Sequence, residues 1–469
     1  MKKLNWQIVF DLAHGRFTNL RKSIKKSFTR SNLSIIVLDD DPTGTQTVHD
    51  VPVLTEWSKN IIATEFRNET SLFFLLTNSR SLSEEDAILI NAQIAQDIIS
   101  ASEETDRKFI VISRSDSTLR GHFPAETDTL SRHLFNQKPI LFFIPAFYQG
   151  GRVTISGNHY VLEKDEYIPA SKTPFAKDPA FGFTTSNLPL YIEEKTNGSF
   201  PANKVISISL DDLRNKGYKK AWSIVRSASS GAIIIPDAVN RNDLEIFAAG
   251  FWKWFQPGSP VLFRSAASIV PVLVGQKEKR LLDGQNISGS GNGILVVAGS
   301  YVPKTTSQLN HLFETHRPVE VELAVETLLE KDFDPISTSL ANQVNEALMQ
   351  DKTVVLYTSR KLIKANEKNE SLSIVNRVSK ALIQTVDRIK VRPKALIAKG
   401  GITSSDVATK ALRVKRATVK GQILPGVPVW TLGEESRFPG MNYIIFPGNV
   451  GDDDAISTVV TKISKMHNN

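Results

Sequence analysis

The stretch SIIVLDDDPTG, Ser34 to Gly44, constrains the fold more than any other part of the chain. Its apolar run, Ile35 to Leu38, is too short for a helix and rich in β-branched residues, so it reads as a buried strand. The strand breaks directly into Asp39, Asp40 and Asp41, followed by Pro42 and Gly44. Ligands bind at the carboxyl edge of open α/β sheets, and three adjacent carboxylates repel one another unless water, a cation or a substrate hydroxyl relieves them.

The first half repeats this grammar. VPVL at 51 to 54 and SLFFLL at 71 to 76 read as strands, the second running into Thr77, Asn78, Ser79 and Arg80. Ser83 and Asp86 mark the start of a long helix, with Ile90, Ile94 and Ile98 at helical spacing. A strand from Phe109 to Ile112 ends in SRSDSTLRGHF, and one from Ile140 to Ile144 ends in PAFYQGGR. Strands alternating with helices predict a parallel sheet whose carboxyl edge collects these loops into one site. Arg114, Arg120 and Arg152 suit bidentate pairing with a carboxylate, whereas Asp40, Asp41 and Asp116 suit hydroxyl hydrogens. The implied ligand is an anion with several hydroxyls, such as a sugar acid. From 153 to 200 the pattern predicts a hairpin, TISGNHYVL, then a long loop overhanging the site, with His159 read more readily as structural than as a substrate contact. Strands at 205 to 208, 232 to 235 and 261 to 263 continue the α/β pattern.

At 469 residues the chain predicts at least two domains, and no apolar run approaches a membrane span. The opening MKKLNWQIVFDLAHGR does not read as a signal peptide, and the absence of cysteine excludes disulfides and thiolate chemistry and fits a cytoplasmic address. The net charge of +8 fits anionic small molecules better than nucleic acid, because the one basic cluster, Arg16 to Arg30, reads as a solvated helix with Phe17, Leu20 and Ile24 inward. No membrane or nucleic-acid partner is expected, and a homo-oligomer is compatible with the sequence.

Residues 274 to 293 are polar and Gly/Ser-rich, which reads as a linker, dividing the chain into 1–285 and 286–469. Beyond it, strand Ile294 to Ala298 ends in Gly299 and Ser300, with a helix near Lys304 capped by Thr305 or Thr306. Strand Ala395 to Ala398 runs into Lys399, Gly400, Gly401, Ile402 and Thr403 ahead of a helix from Ser404 or Ser405. The last strand leads to PGNVGDDD, containing Gly448, Gly451 and Asp452, and to a terminal helix. Glycines between a strand and a helix start let phosphate oxygens approach backbone N–H groups at the positive end of the helix dipole. No GxxxxGK[ST] occurs and no GxGxxG follows a strand, which argues against a P-loop enzyme and a dinucleotide dehydrogenase. Asp452 to Asp454 read either as helix caps or as a place for Mg2+ bridging phosphates.

Together these motifs resemble the four-carbon acid sugar kinase family over nearly the full length. Its A-D-D-x-T-G element is matched by Asp39 to Gly44, its D-S-T-L-R-G-N by Asp116 to His122, its P-A-F-P-x-x-G-R by Pro145 to Arg152, and its DP-containing loop by Thr173 to Pro189. Gly299 and Ser300 resemble the first nucleotide-contact element and Lys399 to Thr403 the Gly-Gly element that binds ATP. The resemblance implies an α/β fold of two Rossmann-like domains, with mainly parallel sheets facing across a cleft. An amino-terminal acid-sugar domain would hold substrate through Asp40, Arg80, Arg114, Arg120 and Arg152. A carboxyl-terminal domain would bind ATP through Ser300, Lys399, Gly400, Gly401, Thr403, Gly448 and Gly451, with Mg2+ at Asp452. The reaction would phosphorylate a threonate, erythronate, 3-oxo-tetronate or branched relative, with Asp41 or Asp116 accepting the hydroxyl proton. The chain departs from the family at Pro42, in the continuation TQTVHD, and in PGNVGDDD, where K-x-G-G-F-G is usual. A sugar-acid dehydrogenase or dehydratase and a non-enzymatic acid-sugar sensor are the competing readings.

Overall fold

The computed structural model describes residues 19–464 apart from 288, 300–301, 331–332 and 360–367. Along the chain the strands are β1 (Ser34–Asp39), β2 (Val51–Leu54), β3 (Leu72–Leu76), β4 (Phe109–Arg114), β5 (Ile140–Ile144), β6 (Arg152–Ile155), β7 (Asn158–Glu163), β8 (Glu166–Pro169), β9 (Ile206–Ile208), β10 (Ile233–Pro236), β11 (Val261–Ser265), β12 (Ile294–Ala298), β13 (Val319–Leu323), β14 (Thr353–Thr358), β15 (Ala395–Lys399), β16 (Arg416–Leu424), β17 (Val427–Leu432) and β18 (Asn442–Phe446). The chain divides into two compact units, Met1–Val48 with Glu56–Glu278, and His49–Thr55 with Lys279–Asn469.

The first unit carries parallel strands in the order β3-β1-β4-β11-β5-β10-β9. All six residues of β1 and all five of β3 are buried, as expected where helices cover both faces of a parallel sheet. The flanking helices obey their sequence signals. Glu84–Thr105 begins where the Ser83 hydroxyl accepts from the Asp86 amide at 3.1 Å, and Leu20–Ser31 buries Ile24 and Phe28. Phe17 lies outside the described residues. Parallel register aligns the strand ends: Asp39 lies opposite Leu76 and Arg114, and Ser265 opposite Arg114 and Ile144. Five strands thus deliver their polar loops to one edge. A small antiparallel sheet, β6-β7-β8, contains the expected hairpin.

The second unit is α/β as well. β13-β14-β12-β15-β18 run parallel, and β17, β16 and β2 extend that sheet in antiparallel fashion. Two expectations change here. Residues 51–54, read as part of the first domain, pair with β16, Val51 opposite Val419 and Leu54 opposite Arg416, so this short excursion belongs to the second unit. Nor is 274–293 a free linker. Leu282 and Ile287 are buried in the second unit's core and the Leu282 amide donates to Gln422 O at 2.6 Å. Burying each such side chain contributes about 1.5–3 kcal/mol, enough to hold a polar, glycine-rich segment down.

Candidate active site

At the carboxyl edge of the first unit's sheet, β1 hands over to a 3-10 turn, Pro42–Thr47, that Asp41 caps by accepting from the Thr43 amide at 2.8 Å and the Thr43 hydroxyl. Glycine is required at 44, because a Cβ there would run into the Asp39 carboxylate. The β4 loop supplies the complement. Arg114 Nη1 donates to Asp39 Oδ1 at 2.9 Å and lies 3.6 Å from Asp40 Oδ1, while the Ser115 hydroxyl donates to Asp40 Oδ2 at 2.6 Å. Arg80 pairs with Asp41 and approaches Asp116 at 3.7 Å and Asp40 at 3.9 Å. Arg120 donates from Nε to Asp116 at 2.7 Å, lies 3.7 Å from Asp178 and stacks over Phe175 at 4.9 Å. Asp40, Asp41, Asp116, Arg80, Arg114 and Arg120, predicted from three separate loops, therefore form one cluster.

The cluster divides electrostatically. Burial pushes the Asp39 carboxyl up to about 7, against the pull of Arg114 and with help from Asp40 and Asp41. Asp40 is raised by the same burial, against Arg80 and Arg114. For Asp116 burial acts upward too, but Arg80, Arg120 and the Thr118 hydroxyl outweigh it and hold the group at about 2. Asp41, opposed likewise by burial, falls below its ordinary value through Arg80 and Thr43. Asp39 Oδ2 and Asp40 Oδ1 are buried with no hydrogen-bond partner.

Arg152 stands beside this cluster with a different status. Its guanidinium donates to Gly150 O, its Nε is buried without a partner, and among the described residues no carboxylate lies within ion-pair distance of it. Burial lowers its pKa, while Asp116 is the largest influence in the other direction. Arg152 is thus the arginine of the set whose charge is not consumed inside the protein. The 173–189 loop does reach the site, through Asp178 to Arg120. His159 is structural: it is wholly buried between Thr154 Oγ1 at 3.0 Å and Ser117 O at 2.8 Å, and burial depresses it to about 4.

Several participants were missed. Arg264 donates to Glu126 at 2.6 Å and to Ser113 Oγ at 2.8 Å, and Glu126 also receives the Ser79 hydroxyl. A charged residue at the end of the otherwise apolar run VLFRS was the available signal. Ser115 and Glu126 had none, since a serine in a polar loop and a glutamate in a helix are commonplace.

In the second unit, β15 ends at Lys399, whose ammonium donates to Pro447 O at 2.8 Å and lies 4.2 Å from the centre of the Phe446 ring. The side chain is fully buried, and burial, assisted by Lys304, brings its pKa down to about 7. Gly400 adopts φ +105 and its amide donates to Phe446 O at 2.8 Å; the helix starts at Gly401, ahead of the expected Ser404. Thr403 lies against Gly299, where a Cβ would meet its hydroxyl. The helix Pro303–His316 opens at a proline rather than at a threonine cap, leaving Thr305 Oγ1 buried without a partner. Its Gln308 donates from Nε2 to Val450 O, Gly451 O and Asp452 O at 2.8–3.3 Å, pinning the divergent loop, while Gln308 Oε1 is unpartnered. Lys399 and Gly400 thus touch the end of β18 and the loop that carries Gly448 and Gly451, while Thr403 packs against Gly299. Ser300 lies outside the described residues. Asp452 is exposed, Asp453 pairs with Lys304 at 3.4 Å, and no group of three or more metal-ligating side chains occurs among the described residues.

A buried lysine, an orphaned threonine hydroxyl and glycine-lined backbone offer donors of the kind an anion needs, whereas Gln308 Oε1, an acceptor, does not. A model described as a sugar-binding N-terminal domain matches residues 35–273, and one described as a nucleotide-binding C-terminal domain matches residues 295–456. A Haemophilus influenzae protein of the DUF1537 family shares the fold at TM-score 0.63 and 18% identity, covering 91% of this chain and 100% of its own. A Salmonella typhimurium LT2 protein, described provisionally as a tRNA synthase, does so at TM-score 0.67 and 16% identity, covering 91% and 98%. No curated protein matches. With half of its length matched by the sugar-binding model and most of the remainder by the nucleotide-binding one, the chain belongs to the family that joins these two domains, the architecture of the four-carbon acid sugar kinases.

Proposed function

We propose that the protein is an ATP-dependent kinase that phosphorylates a hydroxyl of a small acid sugar, a tetronate, 3-oxo-tetronate or branched relative. The observation that carries this reading is the pairing, within one chain, of a cluster balanced between carboxylates and arginines in the sugar-binding domain with a buried-lysine, glycine-lined loop in the nucleotide-binding domain. Arg152, with Arg120 beside it, receives the acid's carboxylate, and the carboxylates of Asp40, Asp41 and Asp116 orient its hydroxyls. Asp41 takes the proton of the attacking hydroxyl, with Asp116 as the other candidate. Lys399, Gly400, Gly401, Thr403, Gly448 and Gly451 hold the triphosphate. Asp452 would meet a Mg2+ ion bound with ATP, and the ion would supply charge neutralisation on the phosphates.

The deciding experiment is a coupled ADP-release assay with ATP and Mg2+ over tetronates, 3-oxo-acids and branched acid sugars. Turnover with at least one acid and none with its neutral polyol supports the kinase. Acid binding without any ADP release would leave the sensor reading standing.

A further inference from the structure

The loop that carries Asp116 and Arg120 closes over a small pocket at the carboxyl edge of the first unit's sheet. Its polar walls are Ser115, Asp116, Arg120, Tyr191, Arg264 and Ser265, and the remainder is apolar. Asp116 and Arg120, partly exposed, belong to the acid cluster, so the pocket is continuous with that cluster while its inner wall is buried. Measured at the centre of a water-sized sphere, its volume is about 10 Å³, room for one oxygen atom. Most of the polar wall is already committed. The Ser115 hydroxyl donates to Asp40 Oδ2 at 2.6 Å and to Arg120 O at 3.0 Å, the Tyr191 hydroxyl donates to Leu119 O at 2.8 Å, and Arg264 Nη1 donates to Ser113 and Glu126. Asp116 Oδ2 accepts from Arg120 Nε at 2.7 Å and from the Thr118 hydroxyl. Two groups are left. Ser265 is 3% exposed and its Oγ is buried without a partner, although the backbone there is fixed by the Ser115 amide, which donates to Ser265 O at 2.8 Å. Asp116 Oδ1 is approached by Arg80 Nη1 at 3.7 Å, outside hydrogen-bond reach, and keeps its lone pairs. A donor and an acceptor on the walls of a space for one oxygen are the complement of a single hydroxyl.

We propose that this pocket takes the hydroxyl on the carbon next to the acceptor's carboxylate, with Ser265 donating to it and Asp116 accepting from it, so that Ser265 determines specificity and the acceptors are 2-hydroxy acids. The proposal rests on the acid-sugar reading of the first domain and deepens it. The position follows from Arg120. The guanidinium that stands with Arg152 for the carboxylate is itself bonded to Asp116, so the first carbon beyond the carboxylate is the one whose hydroxyl comes within reach. A 2-deoxy acid bound here buries the Ser265 hydroxyl unpaired, and that cost falls on the wrong acid alone. Engaged with this hydroxyl, Asp116 is no longer free for the attacking one, which leaves Asp41 to accept its proton.

Calorimetric titration of the full chain with threonate, erythronate, 3,4-dihydroxybutanoate, which lacks the 2-hydroxyl, and 2,4-dihydroxybutanoate, which lacks the 3-hydroxyl, tests it. Wild type binds the better of the two tetronates more tightly than 3,4-dihydroxybutanoate by about tenfold or more, the worth of a buried donor left unpaired. Ser265→Ala closes that gap from one side: the tetronate and 2,4-dihydroxybutanoate weaken together, whereas 3,4-dihydroxybutanoate and ATP bind as before, with melting temperatures as the folding control. No preference for the 2-hydroxyl in wild type, which needs no variant to measure, overturns the assignment. So do equal losses for all of the acids in Ser265→Ala, and so does an unchanged gap, the result if water alone fills the pocket. Any of these alongside ADP release from a tetronate leaves the kinase reading standing. A preference that depends on Ser265 without ADP release sinks the kinase reading and leaves the pocket standing, and a wild type that binds none of these acids removes the acid-sugar reading and the pocket with it.

Discussion

At the scale of single residues, the distinction that matters is between arginines used up inside the protein and the one that is not. Arg114 is buried against Asp39 and Asp40, so Arg114→Met strips Asp39 of its ion-pair partner, leaves Asp40 with only the more distant Arg80, and should cost about 3–5 kcal/mol of stability, read by denaturant melts. Arg152→Met should instead leave the melt nearly unchanged and raise the acid-sugar constant about ten- to hundredfold. If both variants behave alike, the division drawn between them is wrong. The residue types and their convergence were legible, because charged side chains directly after β-branched runs mark the carboxyl edge of a sheet. Which arginine is spare was not, since that depends on partners brought from distant loops. The same holds for the acids. Asp41→Asn keeps the bond from Thr43 but cannot take a proton, so turnover should fall by about 10² to 10⁴ with ATP affinity intact. Because Asp41 sits below its ordinary value, the wild-type pH–rate profile should stay flat down to about pH 4; an acid limb nearer neutrality would point to Asp40, whose carboxyl burial raises. Lys399 is likewise depressed, but toward its neutral form. Its folded pKa of about 7 lies below the ordinary lysine value of 10.5, so its contribution to stability is fully present above 10.5 and is lost progressively as pH falls to about 7. Phosphates favour the charged form, so ATP binding at pH 8 should take up close to one proton, about the complement of the charged fraction at that pH. Calorimetry in buffers of different ionisation enthalpy measures this, and the uptake should vanish in Lys399→Met.

At the scale of elements, local signals predicted existence and type well and missed what closes a loop. Ser83 ahead of Asp86 announced the helix Glu84–Thr105, and the apolar runs became β1, β3, β4 and β5. The SRSDSTLRGHF loop was legible as polar but not as a knot of contacts. Gly121, at φ +122, lets the chain pass so close to the cluster that a Cβ would strike Ser115 Oγ and Arg264 Nη2, with Asp40 Oδ2 at 3.3 Å. Ser115 and Arg264 in turn hold Asp40 and Glu126. Gly121→Ala therefore combines an unfavourable backbone angle with displacement of two buried donors, and about 1–3 kcal/mol of lost stability is expected. The loss should be accompanied by weakened acid binding, with ATP binding unaffected. A variant as stable as wild type that binds acid normally would show that the loop is softer than its packing implies. His159 illustrates the other half of the comparison: read as structural in its hairpin, it lies opposite Thr154 in the hairpin register and is buried between Thr154 and Ser117 of the loop after β4.

At the scale of the molecule, composition suggested one division of the chain at a polar, glycine-rich stretch, and the structure divides it at more than one place. The signal was real, because Lys279 does begin the long second segment, but glycine and serine content says nothing about whether Leu282 and Ile287 find a core. The excursion His49–Thr55 had no sequence signal at all, since VPVL reads equally well as a strand of either unit. Its consequence is that residues 279–469 are not a complete fold. Without β2, the strand β16 becomes an edge, losing the ladder from Val51–Val419 to Leu54–Arg416, the Asp50 amide bond to Val419 O and the Thr55 amide bond to Lys415 O. An unpaired, long edge of this kind invites association between copies. A fragment of residues 279–469 is thus expected to be soluble only in part and to melt below the same fragment carrying residues 48–56 joined through a flexible Gly/Ser linker, by about 2–4 °C for each 1 kcal/mol that the strand contributes to a unit of this order of size. ATP binding should follow stability, weak or absent in the short fragment and present in the fused one. Size-exclusion chromatography and thermal melts of the two proteins decide it. A monomeric short fragment with the melting temperature of the fused one would mean that β2 is an ornament on the second unit rather than a part of it.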